Sequence, residues 1–141
     1  MRTASRLLVI SWFLMVAATV VAQQPAVDLA ATVRQLHDAM IKPASEAIFN
    51  VGRGAPKNDE EWTAVSRAAV TLAESGNLLT AGSRGKDRRK WIALSRQLVA
   101  AGRTARRAAE AKNVKALMEA SDRVVIVCET CHARYRNQGP R

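Results

Sequence analysis

Aromatic residues are scarce in this chain of 141 residues. There are six in all, and two of them, Trp12 and Phe13, fall in an apolar segment near the N-terminus. The many basic side chains are therefore not interleaved with the stacking aromatics on which single-stranded nucleic acids are bound. We expect no nucleic-acid partner.

The chain also lacks a segment of alternating β-branched residues long enough to suggest a sheet. We find no Ser-His-Asp set, no pair of catalytic carboxylates and no phosphate-binding loop, so the sequence does not predict an enzyme. The sequence is rich in helix-forming residues. It predicts an all-α protein, an antiparallel four-helix bundle with short connections.

The first 22 residues have the pattern of a secretory signal. Arg2 and Arg6 precede an apolar run from Leu7 to Val21, and small residues end it at Ala22. The run is about fifteen residues long, shorter than the roughly 20 that cross a bilayer as a helix. We predict cleavage after Ala22, export to the periplasm, no permanent membrane span, and one domain over residues 23–141.

Acidic residues are few for the number of basic ones. The chain has 22 Lys and Arg against 12 Asp and Glu, and removal of residues 1–22 leaves a net charge of +8. Such a charge mainly steers encounters, here with acidic proteins or an anionic membrane surface. The alternative is a solvated surface without a specific partner.

Hydrophobic spacing predicts the first two helices. The first runs from about Asp28 to Asn50, and Pro43 within it predicts a kink. Its apolar face comprises Leu29, Val33, Leu36, Met40 and Ile41. Asn58 or Asp59 caps the second helix. The buried stripe of the second helix comprises Trp62, Val65, Ala69, Leu72 and Leu79, with a weaker turn at Gly76.

The third and fourth helices follow a break at residues 82–85, and Asn113 starts the fourth. The inner face of the third helix comprises Trp91, Leu94, Leu98, Ala101, Ala105 and Ala108. The stripe of the fourth comprises Val114, Leu117, Ser121, Val124 or Val125, Cys128, Cys131 and Tyr135.

Cys128, Cys131 and His132 form the C-x-x-C-H pattern of covalent haem attachment. Two thiols at this spacing add to two vinyl groups on one porphyrin edge, and the following imidazole becomes the proximal iron ligand. On a helix all three residues share one face. The pattern predicts one covalently attached haem c, held by Cys128 and Cys131 and ligated by His132.

Other uses of two such cysteines fit less well. A dithiol redox pair usually belongs to a βαβ context, whereas this pair lies late in an amphipathic helix. A zinc site would need a fourth ligand, and the only other histidine is His37. A disulfide across two residues closes a very small loop and adds little stability.

A C-terminal attachment motif that continues to Tyr135 and Arg136, in a signal-bearing four-helix chain, resembles the class II cytochromes c, the cytochrome c prime family. The resemblance covers the whole mature chain. It implies haem between the first and last helices and frequently a homodimer. One branch of the family leaves the sixth iron position open and binds nitric oxide or carbon monoxide, whereas the low-spin branch fills it with methionine and transfers electrons.

His37 lies at the position that corresponds to this methionine when counted back from Pro43, so the chain departs from the family there. Met40, three residues later on the same predicted face, is the alternative sixth ligand. A second imidazole would lower the redox potential and a thioether would raise it. Arg134 and Arg136 could pair with haem propionates or remain solvated.

From these residues we expect one-electron transfer with periplasmic partner proteins. A five-coordinate module that binds nitric oxide or carbon monoxide is the first alternative, and axial ligation distinguishes the two. A helical interaction domain with an ordinary dithiol is the second, and an absence of covalent haem would favour it.

Overall fold

The computed structural model describes residues 29–82, 84–85 and 87–136. Within these ranges the chain is all-helical and has no strand, as the sequence predicts. Four helices follow one another, which is consistent with a helical bundle. The predicted signal at residues 1–22 lies outside the described part of the chain.

The first helix, α1, covers residues 33–49 in three consecutive segments. These are an α-helix at Val33–Leu36, a π-helical turn at His37–Ile41 and an α-helix at Lys42–Phe49. The predicted start at Asp28 is wrong, because the Thr32 side chain accepts a hydrogen bond from the Gln35 backbone and caps the helix at that point. Leu29 consequently lies before the helix and is exposed.

Pro43 lies within α1, where the sequence predicts a kink. A proline in a helix has no backbone N–H and its ring clashes with the preceding turn. The chain accommodates it with the π-helical turn, in which the Lys42 N–H reaches back five residues to the His37 carbonyl. Pro43 then occupies the first turn of the following α-segment, where a missing donor costs little.

The other helices are α2 (Asp59–Thr80), α3 (Arg88–Glu110) and α4 (Val114–Tyr135). Each helix begins after a capping residue whose side chain accepts a hydrogen bond from the backbone N–H three residues later. The capping residues are Asn58, Asp87 and Asn113. The predicted caps of α2 and α4 are confirmed. A short 3₁₀ turn, Asn50–Gly52, ends α1.

Two glycines allow α2 and α3 to approach closely. A methyl group on Gly76 would lie 2.9 Å from the Ser95 carbonyl oxygen, and one on Gly102 would lie 2.8 Å from the Ala73 backbone nitrogen. Sequence alone makes Gly76 a weak helical turn, whereas in the fold it is a point of helix contact.

The core follows the predicted stripe of α2 fully and the stripes of the other helices in part. The whole predicted stripe of α2 is buried, and in α4 Val124 is buried while Val125 is exposed. Eight residues of the predicted stripes are half-buried rather than buried: Val33, Met40, Leu94, Val114, Ser121, Cys128, Cys131 and Tyr135. None of the helices in the described part of the chain is both long and apolar enough to cross a membrane.

One end of the molecule joins all four helices. The Trp91 indole at the start of α3 donates to the Leu79 carbonyl at the end of α2 over 2.6 Å. Its ring meets Tyr135 at the end of α4 edge-on, with 5.0 Å between the ring centres. Arg84 donates to the Ala31 carbonyl just before α1 over 2.9 Å. The C-terminal turns of α4 are thereby held beside the N-terminal part of α1.

Candidate functional site

The predicted attachment residues lie in the last turns of α4. Cys128, Cys131 and His132 are each half-buried, and both cysteines are free thiols. They follow directly on the buried Val124 and Val127, so the core-facing stripe of α4 positions them. The spacing places both thiols and the imidazole along one side of the helix.

His37 of α1 and His132 of α4 face each other. Their ring centres are 5.6 Å apart, and the ring planes are inclined by 57°. The two residues are 95 positions apart in the sequence, so only the packing of α1 on the rest of the bundle can bring them together. This pair is the centre of the candidate site.

Each imidazole uses its Nδ1 atom in a local hydrogen bond. His37 Nδ1 donates to the Asp38 carboxylate over 3.0 Å. The Arg136 guanidinium donates to His132 Nδ1, also over 3.0 Å. Within the described ranges neither Nε2 atom has a hydrogen-bond partner.

The two bonds favour opposite tautomers. A carboxylate only accepts, so the neutral His37 ring carries its proton on Nδ1. A guanidinium only donates, so His132 Nδ1 accepts and the proton of that ring lies on Nε2. In these tautomers Nε2 of His37 carries no proton, whereas ligation of a metal ion through Nε2 of His132 would require its proton to move to Nδ1 and Arg136 to leave that atom.

Two groups at the pair have lowered pKa values. The pKa of Asp38 is lowered, first by its hydrogen bond to His37. The pKa of His132 is lowered by burial, and the nearby charges of Arg136 and His37 contribute. The His132 ring is thereby favoured in its neutral form, which is the form that binds metal ions.

Burial keeps the two cysteines as thiols. It raises the pKa of Cys128, to which Cys131 and Glu129 also contribute, and it raises the pKa of Cys131. Reactive cysteines usually have a depressed pKa and lie near positive charge. The pair thus lacks the electrostatic feature of a thiolate redox centre.

Met40 lies half-buried against the hydrophobic core. The reason is the π-helical turn. In a regular helix Leu36 and Met40 would share the inner face, but the wider turn instead places Ile41, five residues after Leu36, in the core. The structure brings His37 and His132 together, and Met40 packs beside the core.

The side chains after the motif have protein partners. Arg134 forms an ion pair with Asp87 over 2.9 Å, and Tyr135 packs on Trp91. Its hydroxyl is buried and unpaired among the residues described. Sequence reasoning missed Asp38, although its position directly after His37 was a signal.

No three His, Cys, Asp or Glu side chains converge to hold a metal ion in the part of the chain that the structure describes. Comparison with known protein families, characterised proteins and solved structures found no match to this chain.

Proposed function

We propose that this chain is an exported one-electron carrier of the class II cytochrome c type. In this proposal it forms an antiparallel four-helix bundle, and one haem c lies between α1 and α4. The haem is attached to Cys128 and Cys131 and ligated by His132 and His37. The observation that carries the proposal is the approach of the His37 and His132 rings across the interface of α1 and α4.

The two imidazole rings are close enough for both to bind one metal ion, since metal–imidazole nitrogen bonds are about 2.0 Å long and the ring centres lie 5.6 Å apart. The free Nε2 atoms and the carboxylate on His37 Nδ1 are typical of ligating histidines and their outer-shell partners.

One contact does not fit and must change. Ligation through His132 Nε2 requires the proton on Nδ1, and that atom now accepts from Arg136. Arg136 is exposed and lies in the turn that follows α4, so its side chain can swing away. The proposal therefore includes a rearrangement of Arg136.

A haem bound there would supply one-electron chemistry. The residues of the chain have the other roles. Cys128 and Cys131 would hold the haem covalently on α4, and His132 and His37 would ligate its iron. Asp38 orients His37 and strengthens it as a ligand. The buried Val124 and Val127, which precede Cys128, would limit the access of water.

The test is optical and electron paramagnetic resonance spectroscopy of protein matured with haem. Wild type is compared with His37→Ala, Met40→Ala and the control Met118→Ala, a methionine exposed on α4. We expect low-spin iron in the wild type that becomes high-spin in His37→Ala alone. Added imidazole should restore the low-spin spectrum of His37→Ala, since it replaces the missing ligand.

Other results would replace the proposal with a defined alternative. Loss of the low-spin spectrum only in Met40→Ala would give His/Met ligation. High-spin iron in the wild type would favour binding of nitric oxide or carbon monoxide at an open site. An absence of covalent haem in a host that matures other c-type cytochromes would remove the basis of the cytochrome proposal.

A further inference from the structure

The basic residues of the chain are concentrated on α3. Seven Arg or Lys side chains and a single acidic one, Glu110, lie within Arg88–Glu110. α2 has the opposite balance, with four acidic residues and one basic residue, Arg67. The positive charge is thus mainly a feature of one helix.

Four of these arginines form a line along α3 that we name the arginine crest: Arg89, Arg96, Arg103 and Arg107. At about 100° per residue they fall within about 40° of one another around the helix axis. The buried face of the same helix, which includes Trp91, Leu98 and Ala105, lies roughly opposite. The crest is therefore the outermost ridge of α3, and all four side chains are exposed.

Among the residues that the structure describes, no acidic side chain forms an ion pair with the crest. Of the basic residues of α3, only Arg106 forms an ion pair in the described part of the chain, with Glu110. Arg107 donates to the Thr104 hydroxyl, a neutral acceptor. Four guanidinium groups thus remain available to anions outside the molecule.

We propose that the arginine crest binds the surface of a bilayer that contains anionic phospholipids. Arg89 and Arg107 are 18 residues apart, about 27 Å along the helix, and a flat surface can touch such a ridge along its whole length. Guanidinium groups bind phosphate oxygens in a bidentate manner. This inference does not depend on haem or on the proposed function.

The shape and composition of the crest favour a bilayer over an acidic protein. Lipid headgroups present phosphates without a fixed register, so any spacing along the ridge finds partners, whereas a folded protein would need a matching row of carboxylates. None of the large exposed hydrophobic side chains lies on α3. Binding is therefore electrostatic, without insertion, and weakens with salt.

The test is co-sedimentation with vesicles of phosphatidylcholine, with and without phosphatidylglycerol. Two variants each remove four positive charges, one from the arginine crest and the other from outside α3. The crest variant is R89Q/R96Q/R103Q/R107Q, and the control is R53Q/R67Q/K115Q/R123Q, all exposed residues outside α3. All proteins are produced by one route with the same N-terminus, and circular dichroism checks their helicity.

We expect the wild type to bind only vesicles with phosphatidylglycerol, and to bind less as salt rises. Each arginine of the crest should contribute about fivefold to the affinity, so the crest variant should bind two to three orders of magnitude more weakly than the wild type. The control variant should bind less than about tenfold more weakly than the wild type. Equal losses in the two variants would overturn the proposal, because binding would then follow net charge alone. Binding to soluble polyglutamate without binding to vesicles would also overturn it, and would identify an acidic protein as the partner.

Discussion

The surroundings of Cys128 and Cys131 make both thiols poor nucleophiles. Burial dominates the increase in both pKa values. Because the thiolate is the reactive form, a raised pKa means a smaller reactive fraction at neutral pH.

We predict that both thiols react slowly with iodoacetamide at pH 7 to 8 in folded protein prepared without haem. The rate should rise only above the pH at which ordinary cysteines, with a pKa near 8.5, ionise. The measurement is the alkylation rate against pH, followed by mass spectrometry. The same protein unfolded in urea is the control and should reach its full rate at lower pH; identical curves would contradict the assignment of the shift to burial.

Within α1, the π-helical turn determines how much Pro43 destabilises the helix. A proline inside a regular α-helix costs about 3 kcal/mol or more. Here the π-helical turn comes directly before the α-segment in which Pro43 occupies the first turn, so little of that cost is expected.

We therefore predict that Pro43→Ala changes the free energy of unfolding by less than about 1 kcal/mol. Urea denaturation followed by circular dichroism measures it. A gain of about 3 kcal/mol would mean instead that Pro43 strains a helix that would otherwise be regular.

The contact between α2 and α3 depends on the missing side chain of Gly102. We predict that Gly102→Ala destabilises the protein by about 1–3 kcal/mol, even though alanine is the better helix former, because the methyl group would meet the α2 backbone. Gly52→Ala is the matched control, since no heavy atom lies within 4 Å of the added methyl group. Its effect in thermal and urea unfolding should stay within about 0.5 kcal/mol.

For the molecule as a whole, the four helices are not equally anchored. The most extensive packing is between α2 and α3, followed by that between α3 and α4, while α1 packs less extensively on α2 and α4. The candidate site thus lies at the interface of the least anchored helix with α4.

We predict that amide hydrogens of α1 exchange faster than those of α2 and α3 in protein prepared without haem, because local opening requires the loss of fewer buried contacts. Hydrogen exchange with mass spectrometry measures this by segment. Uniform exchange across all four helices would show that α1 opens only when the whole molecule unfolds.

Many features of this protein follow from interactions between residues that are close in the sequence, so the sequence alone predicts them. Helix formers and apolar spacing give four helices, Asn58 and Asn113 mark two of their starts, and the stripe of α2 is buried as predicted. The C-x-x-C-H spacing puts both thiols and His132 on one side of α4 without reference to any other helix. Such features depend on residues only a few positions apart, so they can be predicted from the sequence.

Tertiary structure decided what depends on distant residues. The face of α1 that meets α4 is set by the π-helical turn, which the sequence predicts only as a kink at Pro43. That turn, together with the packing of α1 on its neighbours, places His37 beside His132 and Met40 against the core. Likewise, the role of Gly102 emerges only where α3 meets α2. The packing of one helix on another depends on many weak contacts between residues that are far apart in the chain. A local sequence pattern does not contain this information.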